Sequence, residues 1–177
     1  MNNTVKSTAL NYGLYLGGFF ALASVIVYAV NLDLFTEWWL GILFFVVAIV
    51  FGVLASLKAR KLLGGFISFK DAFVSYFITL ALGTLIGTIV GIVIFTFIDP
   101  EAAEYLNEQI LVLTKQTMER FGAPQEAIVE AIEKAREKDN FSVGAQLQSW
   151  VIRLIFYIIF GLIIALIVKK KDPELEQ

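Results

Sequence analysis

Apolar residues are gathered into four long stretches with polar segments between them. The stretches run from about Leu10 to Val30, Trp38 to Leu57, Ala72 to Ile98 and Trp150 to Val168. About 20 apolar residues in helical form cross a hydrocarbon layer of ~30 Å, so each stretch predicts a membrane-spanning helix. The third is longer than a bilayer requires, which predicts a tilt or a projection beyond it. Arg153, near the start of the fourth, is the single charged side chain inside a stretch. The expected fold is therefore all-α: one membrane domain over 1–177, a four-helix bundle with an extracytoplasmic helical hairpin between spans 3 and 4.

The polar segments give the orientation. Residues 31–37 carry no Lys or Arg, whereas the next loop carries Lys58, Arg60, Lys61 and Lys70, and the tail opens with Lys169, Lys170 and Lys171. Lys and Arg favour the cytoplasmic side of a span, which predicts cytoplasmic termini and an outer segment 99–141. Trp38, Trp39 and Trp150 fall at predicted outer ends, where indole rings anchor among headgroups. The first stretch has a competing reading. Lys6, an apolar run and Ala21-Leu22-Ala23 look like a signal peptide cleaved to leave Ser24. The run continues to Val30, which favours a retained span.

Residues 99–141 hold ten of the sixteen acidic residues against five basic ones, Lys115, Arg120, Lys134, Arg136 and Lys138. Asp99-Pro100 predicts a helix start, with Asp capping free amides and Pro at the first helical position. Leu106, Ile110, Leu113, Thr117 and Phe121 recur at helical spacing. Gly122-Ala123-Pro124 ends that pattern, and Ile128, Val129, Ile132 and Ala135 begin a second amphipathic helix.

Composition changes the picture mainly by exclusion. The chain is 58% hydrophobic and 17% charged, with no Cys and no His, and its mean hydropathy is +0.77. Disulfides, thiol nucleophiles, histidine triads and the usual zinc sites are thereby excluded. No spacing of carboxylates suggests a metal, and no cofactor motif occurs. The net charge of −2 gives no footing for a nucleic acid. Catalysis would fall to carboxylates such as Asp71 or Asp99, both of which sit at helix caps, so no catalytic residue is assigned.

Small residues line each stretch. Gly83, Gly87 and Gly91 repeat every fourth residue in the third, with Thr84 and Thr88 beside them. Gly13, Gly17 and Ala21 do so in the first, Gly52 and Ser56 in the second, and Gly161 and Ala165 in the fourth. Such faces let helices approach closely. They predict packing within the chain, with a homo-oligomer seam or a permeation path as alternatives. Ser68 and Asp71 are spaced as a capping box ahead of the third stretch. Arg153 is expected to snorkel or to pair with Asp33, Glu37 or Asp99, with a bound anion as the sharper alternative. The lysines and arginines of the basic rim are expected to attract anionic lipid. Gly64-Gly65 is a turn without a phosphate-loop pattern around it.

Gly65-Phe66-Ile67-Ser68-Phe69-Lys70-Asp71-Ala72-Phe73 entering the third stretch resembles the signature of a bacterial membrane-protein family, domain of unknown function 4199. The layout of three spans, a charged helical segment, a last span and a lysine-rich tail is similar to it as well. The resemblance implies a bacterial inner membrane and a periplasmic outer segment, with no activity and no catalytic residues to carry over. The expected function is a non-enzymatic scaffold or partner-binding protein acting through residues 100–140. The alternative is a small oligomeric transporter or channel, weakened by the lack of charge near the bilayer midplane.

Overall fold

The computed structural model describes residues 2–170, so Lys171 of the predicted basic rim lies outside the described residues. Among the described residues most of the chain is helical. Helix α1 (Asn3–Val30) leads through a 3₁₀ turn (Leu32–Thr36) into α2 (Trp38–Leu62). Helix α3 (Phe69–Ile92) continues as a π-helical turn (Val93–Ile98). Two polar helices, α4 (Pro100–Arg120) and α5 (Gln125–Arg136), precede the last, α6 (Val143–Val168). Four segments, α1, α2, α3 with its π-helical turn, and α6, are long and apolar enough to cross a membrane.

Helices α2 and α3 form the centre. Each packs on the other, while α1 and α6 lie against both and not appreciably against each other. Only 22–39% of the most apolar window of each of the four helices is buried inside the protein. The outward faces are Leu, Ile, Val and Phe, as along α6 from Val151 to Ile167. An apolar exterior over a partly polar interior suits a lipid surround.

The glycines explain how α1 and α3 interlock. The two helices run in the same direction, and their glycines receive each other's large side chains. A Cβ added at Gly13 would stand 3.0 Å from Leu82, at Gly17 2.5 Å from Ile86, at Gly83 2.6 Å from Leu16 and at Gly87 2.9 Å from Phe20. These positions are therefore filled from within the chain, knob into notch, rather than forming a free seam. Tyr76, a fully buried ring on α3, has the same relation to two helices at once. A Cβ at Gly52 of α2 would stand 2.5 Å from one edge of the ring, and one at Gly161 of α6 2.8 Å from the other.

Polar bonds follow the same plan, with α3 sharing one with each neighbour. The Ser56 hydroxyl of α2 donates to the Ala72 carbonyl at 2.9 Å. Thr79 of α3 donates to the Ala9 carbonyl of α1 at 3.1 Å. The Trp150 indole of α6 donates to the Thr84 hydroxyl at 3.1 Å. Hydrogen bonds between helices in lipid contribute ~0.6–2 kcal/mol each, so they orient the bundle while the apolar packing holds it.

Two details differ from a reading of the sequence. The last helix is longer than the fourth apolar stretch. Helix α6 starts seven residues earlier, capped by Ser142, and Trp150 lies two turns inside it as a packing residue on Thr84. Gly144, Gln146, Gln148 and Ser149 dilute the apolar run there and hide the helix from a hydropathy reading. At α3, Ser68 accepts the Asp71 amide at 3.0 Å, but the return bond differs from the expected one. The Asp71 carboxylate takes the Ser68 hydroxyl at 2.9 Å rather than the Ser68 amide, because Asp is one methylene shorter than the Glu of a full capping box.

At the end where the basic residues gather, the chain closes on itself. Ile67 and Lys170 exchange backbone hydrogen bonds of 2.9 and 3.0 Å. Arg60 donates to the Val168 carbonyl at 3.1 Å, neutralising the negative end of the α6 dipole. Gly64 and Gly65 take φ of +80° and +96°, left-handed values open to glycine at low cost, and so end α2 and turn the chain.

Candidate functional site

The acidic end is built from the junction of α3 and α4. The π-helical turn, closed by the Asp99 amide on the Ile94 carbonyl at 2.8 Å, inserts an extra residue per turn. It thereby aims Ile94 and Phe95 inward while Phe97 and Ile98 stay exposed. Phe95 meets the rings of Phe35 at 5.2 Å, Phe141 at 4.9 Å and Tyr28 at 6.4 Å between centroids. Ala102, Ala103 and the fully buried Leu106 complete this cluster from the first turns of α4.

Asp99 is the polar hub of the socket. Its carboxylate accepts the Ala102 amide at 2.9 Å, capping α4, and the Tyr28 hydroxyl of α1 at 2.8 Å. The Ala102 amide first and the Tyr28 hydroxyl second hold the Asp99 carboxyl below its ordinary range, against some desolvation. Their support is therefore present above the usual carboxylate pKa and is lost only in stronger acid. Nearby, the Tyr105 hydroxyl of α4 donates to Asp33 of the 3₁₀ turn at 2.6 Å. That bond is the main cause of the raised Tyr105 pKa, so its support is lost only as alkali exceeds the usual phenol value. Asn107 binds both Asp139 and Asn140 at 3.0–3.3 Å, tying the segment between α5 and α6 to α4.

Beyond Leu106 the hairpin loses its cover. Helix α5 packs chiefly on α4, through the buried Ile128. The apolar stripe of α4 continues through Ile110, Leu113 and Met118 beside an open groove of about 480 Å³, with Phe35 on its other wall. Phe121 at the hairpin tip is 86% exposed. Glu126, Glu130 and Glu133 flank a shallow depression on α5. The two ion pairs found among the described residues, Lys115–Glu119 and Lys134–Glu130, are exposed pairs one turn apart on the hairpin, and such pairs contribute little.

The pattern of the family described as "protein of unknown function (DUF4199)" matches residues 11–170. The chain belongs to the DUF4199 family. No curated protein and no solved structure matches it. The DUF4199 match runs from α1 to the Lys170 backbone bridge, so spans and hairpin belong to one family unit.

The structure separates the residues singled out from the sequence. Gly91 sits at the acidic side of the bundle, where an added Cβ would touch the Gln146 amide oxygen at 3.0 Å. Ser68 and Asp71 lie at the opposite end as a cap. No group of three or more Asp or Glu side chains converges as a metal site among the described residues. The expected pairing of Arg153 with Asp33, Glu37 or Asp99 does not occur. Arg153 is exposed and has no carboxylate within salt-bridge distance among the described residues. Asp33 and Asp99 are engaged by Tyr105 and by Tyr28 with Ala102. Because no carboxylate is orphaned, Arg153→Leu is expected to leave thermal stability in detergent unchanged or raised. A marked loss of stability would indicate a partner for the guanidinium.

Sequence reasoning missed Tyr28, Phe95, Tyr105 and Asn107, which dock the hairpin. A lone tyrosine near the end of an apolar stretch carries no visible partner, and the π-helical re-aiming of Phe95 has no periodic signature. Tyr76 was equally hidden, although a bulky side chain opposite two glycines is a recurrent packing solution.

Proposed function

We propose that the chain is a non-catalytic membrane scaffold that captures a protein partner on its acidic hairpin. In this reading the basic end is cytoplasmic, following Lys58, Arg60, Lys61 and Lys70, and α4 and α5 stand on the outer side, periplasmic in a bacterial inner membrane. The observation that carries the reading is the partial cover of α4: its first turns are locked into the bundle, and its apolar stripe then runs on beside an open groove. The partner chemistry follows from charge. Residues 99–141 hold ten acidic and five basic groups, a net −5, so a basic amphipathic helix is the fitting occupant, its apolar face on Leu113 and its cations on the glutamates.

A photo-crosslinking residue at position 113 in intact cells tests this. A discrete adduct to a protein bearing a basic amphipathic segment is expected, weakened several-fold when Glu126, Glu130 and Glu133 are changed to Gln together. No adduct, or one indifferent to the charge change, would overturn the proposal.

A further inference from the structure

A second site lies at the opposite end of the bundle, in the groove between the start of α1 and the end of α2. It encloses about 580 Å³ and is lined by Ser7, Thr8, Asn11, Tyr12 and Tyr15 with Lys58 across from them. Among these, Ser7, Asn11, Tyr15 and Lys58 are exposed, on flanks whose other exposed residues include Leu10, Leu14 and Leu54. None of the lining side chains makes a hydrogen bond or ion pair within the described chain. Ser7 and Lys58 lie just outside the apolar stretches, whereas Asn11 and Tyr15 lie inside the first, where polar groups are costly unless something answers them. The row is also directional. Val5 shares a buried cluster with Ala59 and Ala72 at the basic end, which sets Lys58 at that level. At 1.5 Å per residue, Asn11 lies ~9 Å and Tyr15 ~15 Å further toward the middle of the bundle.

One cation at the rim and a ladder of hydroxyl and amide groups descending from it match the polar part of a membrane lipid. We infer that this groove seats a glycerophospholipid of single negative charge, its phosphodiester on Lys58 and its glycerol and ester oxygens on Ser7, Asn11 and the tyrosine hydroxyls. The acyl chains then continue along the apolar flanks of α1 and α2. Lys58 has no carboxylate within salt-bridge distance among the described residues. Arg60, two residues on, is engaged by the Val168 carbonyl. The inference uses only the membrane setting of the helices and is independent of any partner at the hairpin.

Native mass spectrometry of the full chain released from detergent, titrated with phosphatidylglycerol or phosphatidylcholine, tests it. One phosphatidylglycerol is expected to be retained in preference to phosphatidylcholine. Lys58→Gln should weaken retention about fivefold, the factor one lysine supplies near an anionic surface, and Ser7→Leu with Asn11→Leu should weaken it similarly while leaving the charge intact. Lys61→Gln, an exposed lysine outside the groove, should leave retention unchanged. Soluble glycerol phosphate in excess should not displace the lipid. Equal retention of the two lipids, or equal losses from Lys58→Gln and Lys61→Gln, would reduce the effect to diffuse charge and overturn the site. Displacement by glycerol phosphate would also overturn it by making the ligand a free phosphate ester.

Discussion

Gly52→Ala is expected to lower the thermal transition of the purified protein in detergent by on the order of 5–10 °C, while Gly41→Ala on the same helix should leave it unchanged or raise it. A methyl group at Gly52 would stand 2.5 Å from the Tyr76 ring and would also overlap Leu80. Tyr76 and Leu80 are both fully buried, and Tyr76 is blocked on its far edge by Gly161, so the ring cannot retreat. Overpacking a dense core costs ~1–3 kcal/mol, occasionally more, and each kcal/mol moves the midpoint of a domain this size by about 2–4 °C. Gly41 has nothing within 4 Å, so alanine there brings only its better helix propensity, ~1 kcal/mol. Circular dichroism melts of the two variants would decide the point. Equal shifts would mean that Tyr76 is not the wedge on which three helices are set.

The second large effect is expected at the hairpin. Phe95→Ala should release α4 from the bundle without melting the spans. The side chain is 5% exposed and contacts rings from α1, the 3₁₀ turn and the segment between α5 and α6. Removing a buried Phe costs ~3–5 kcal/mol, and most of that cost falls on the docking of α4. Amide exchange over Ala102–Leu106 should rise sharply, while α3 amides near Leu80 keep their protection. Phe97→Ala is the matched comparison, because Phe97 is 71% exposed and should leave exchange at α4 unchanged. Retained protection in Phe95→Ala would show that Asp99 and Tyr105 suffice to hold the helix.

Much of this architecture was legible because lipid imposes a simple rule: apolar length marks a span, and the four stretches stood out on that basis. The caps at Ser68 and Asp99 were legible too, since an N-cap is local in sequence and its residue types are few. The small-residue faces could be found by spacing, but their occupants could not, because Leu16 against Gly83 or Tyr76 between Gly52 and Gly161 depends on which helices become neighbours. The start of α6 failed for a different reason: Gln146 and Gln148 are compatible with helix yet depress hydropathy. The pairing of Arg153 failed because sequence gives the level of a side chain along the membrane normal but not the direction it faces. The α1 groove had a readable signal, Thr4, Thr8, Asn11 and Tyr15 at helical intervals. An average of hydropathy over the run conceals it, because these polar residues recur on one part of the helix surface among apolar ones.

The separation of α1 from α6 has a consequence for biogenesis. Once the first three helices have left the ribosome, the α1–α3 knobs and notches can already close, and the bond from Thr79 to Ala9 needs nothing synthesised later. Tyr76 at that stage touches Gly52 on one edge and lipid on the other. Arrival of α6, after the hairpin has been made, supplies Gly161 and the Trp150 indole, and the antiparallel exchange between Ile67 and Lys170 then latches the finished product. A nascent chain stalled before Val143 should therefore sit in the bilayer as a stable three-helix intermediate awaiting its last piece.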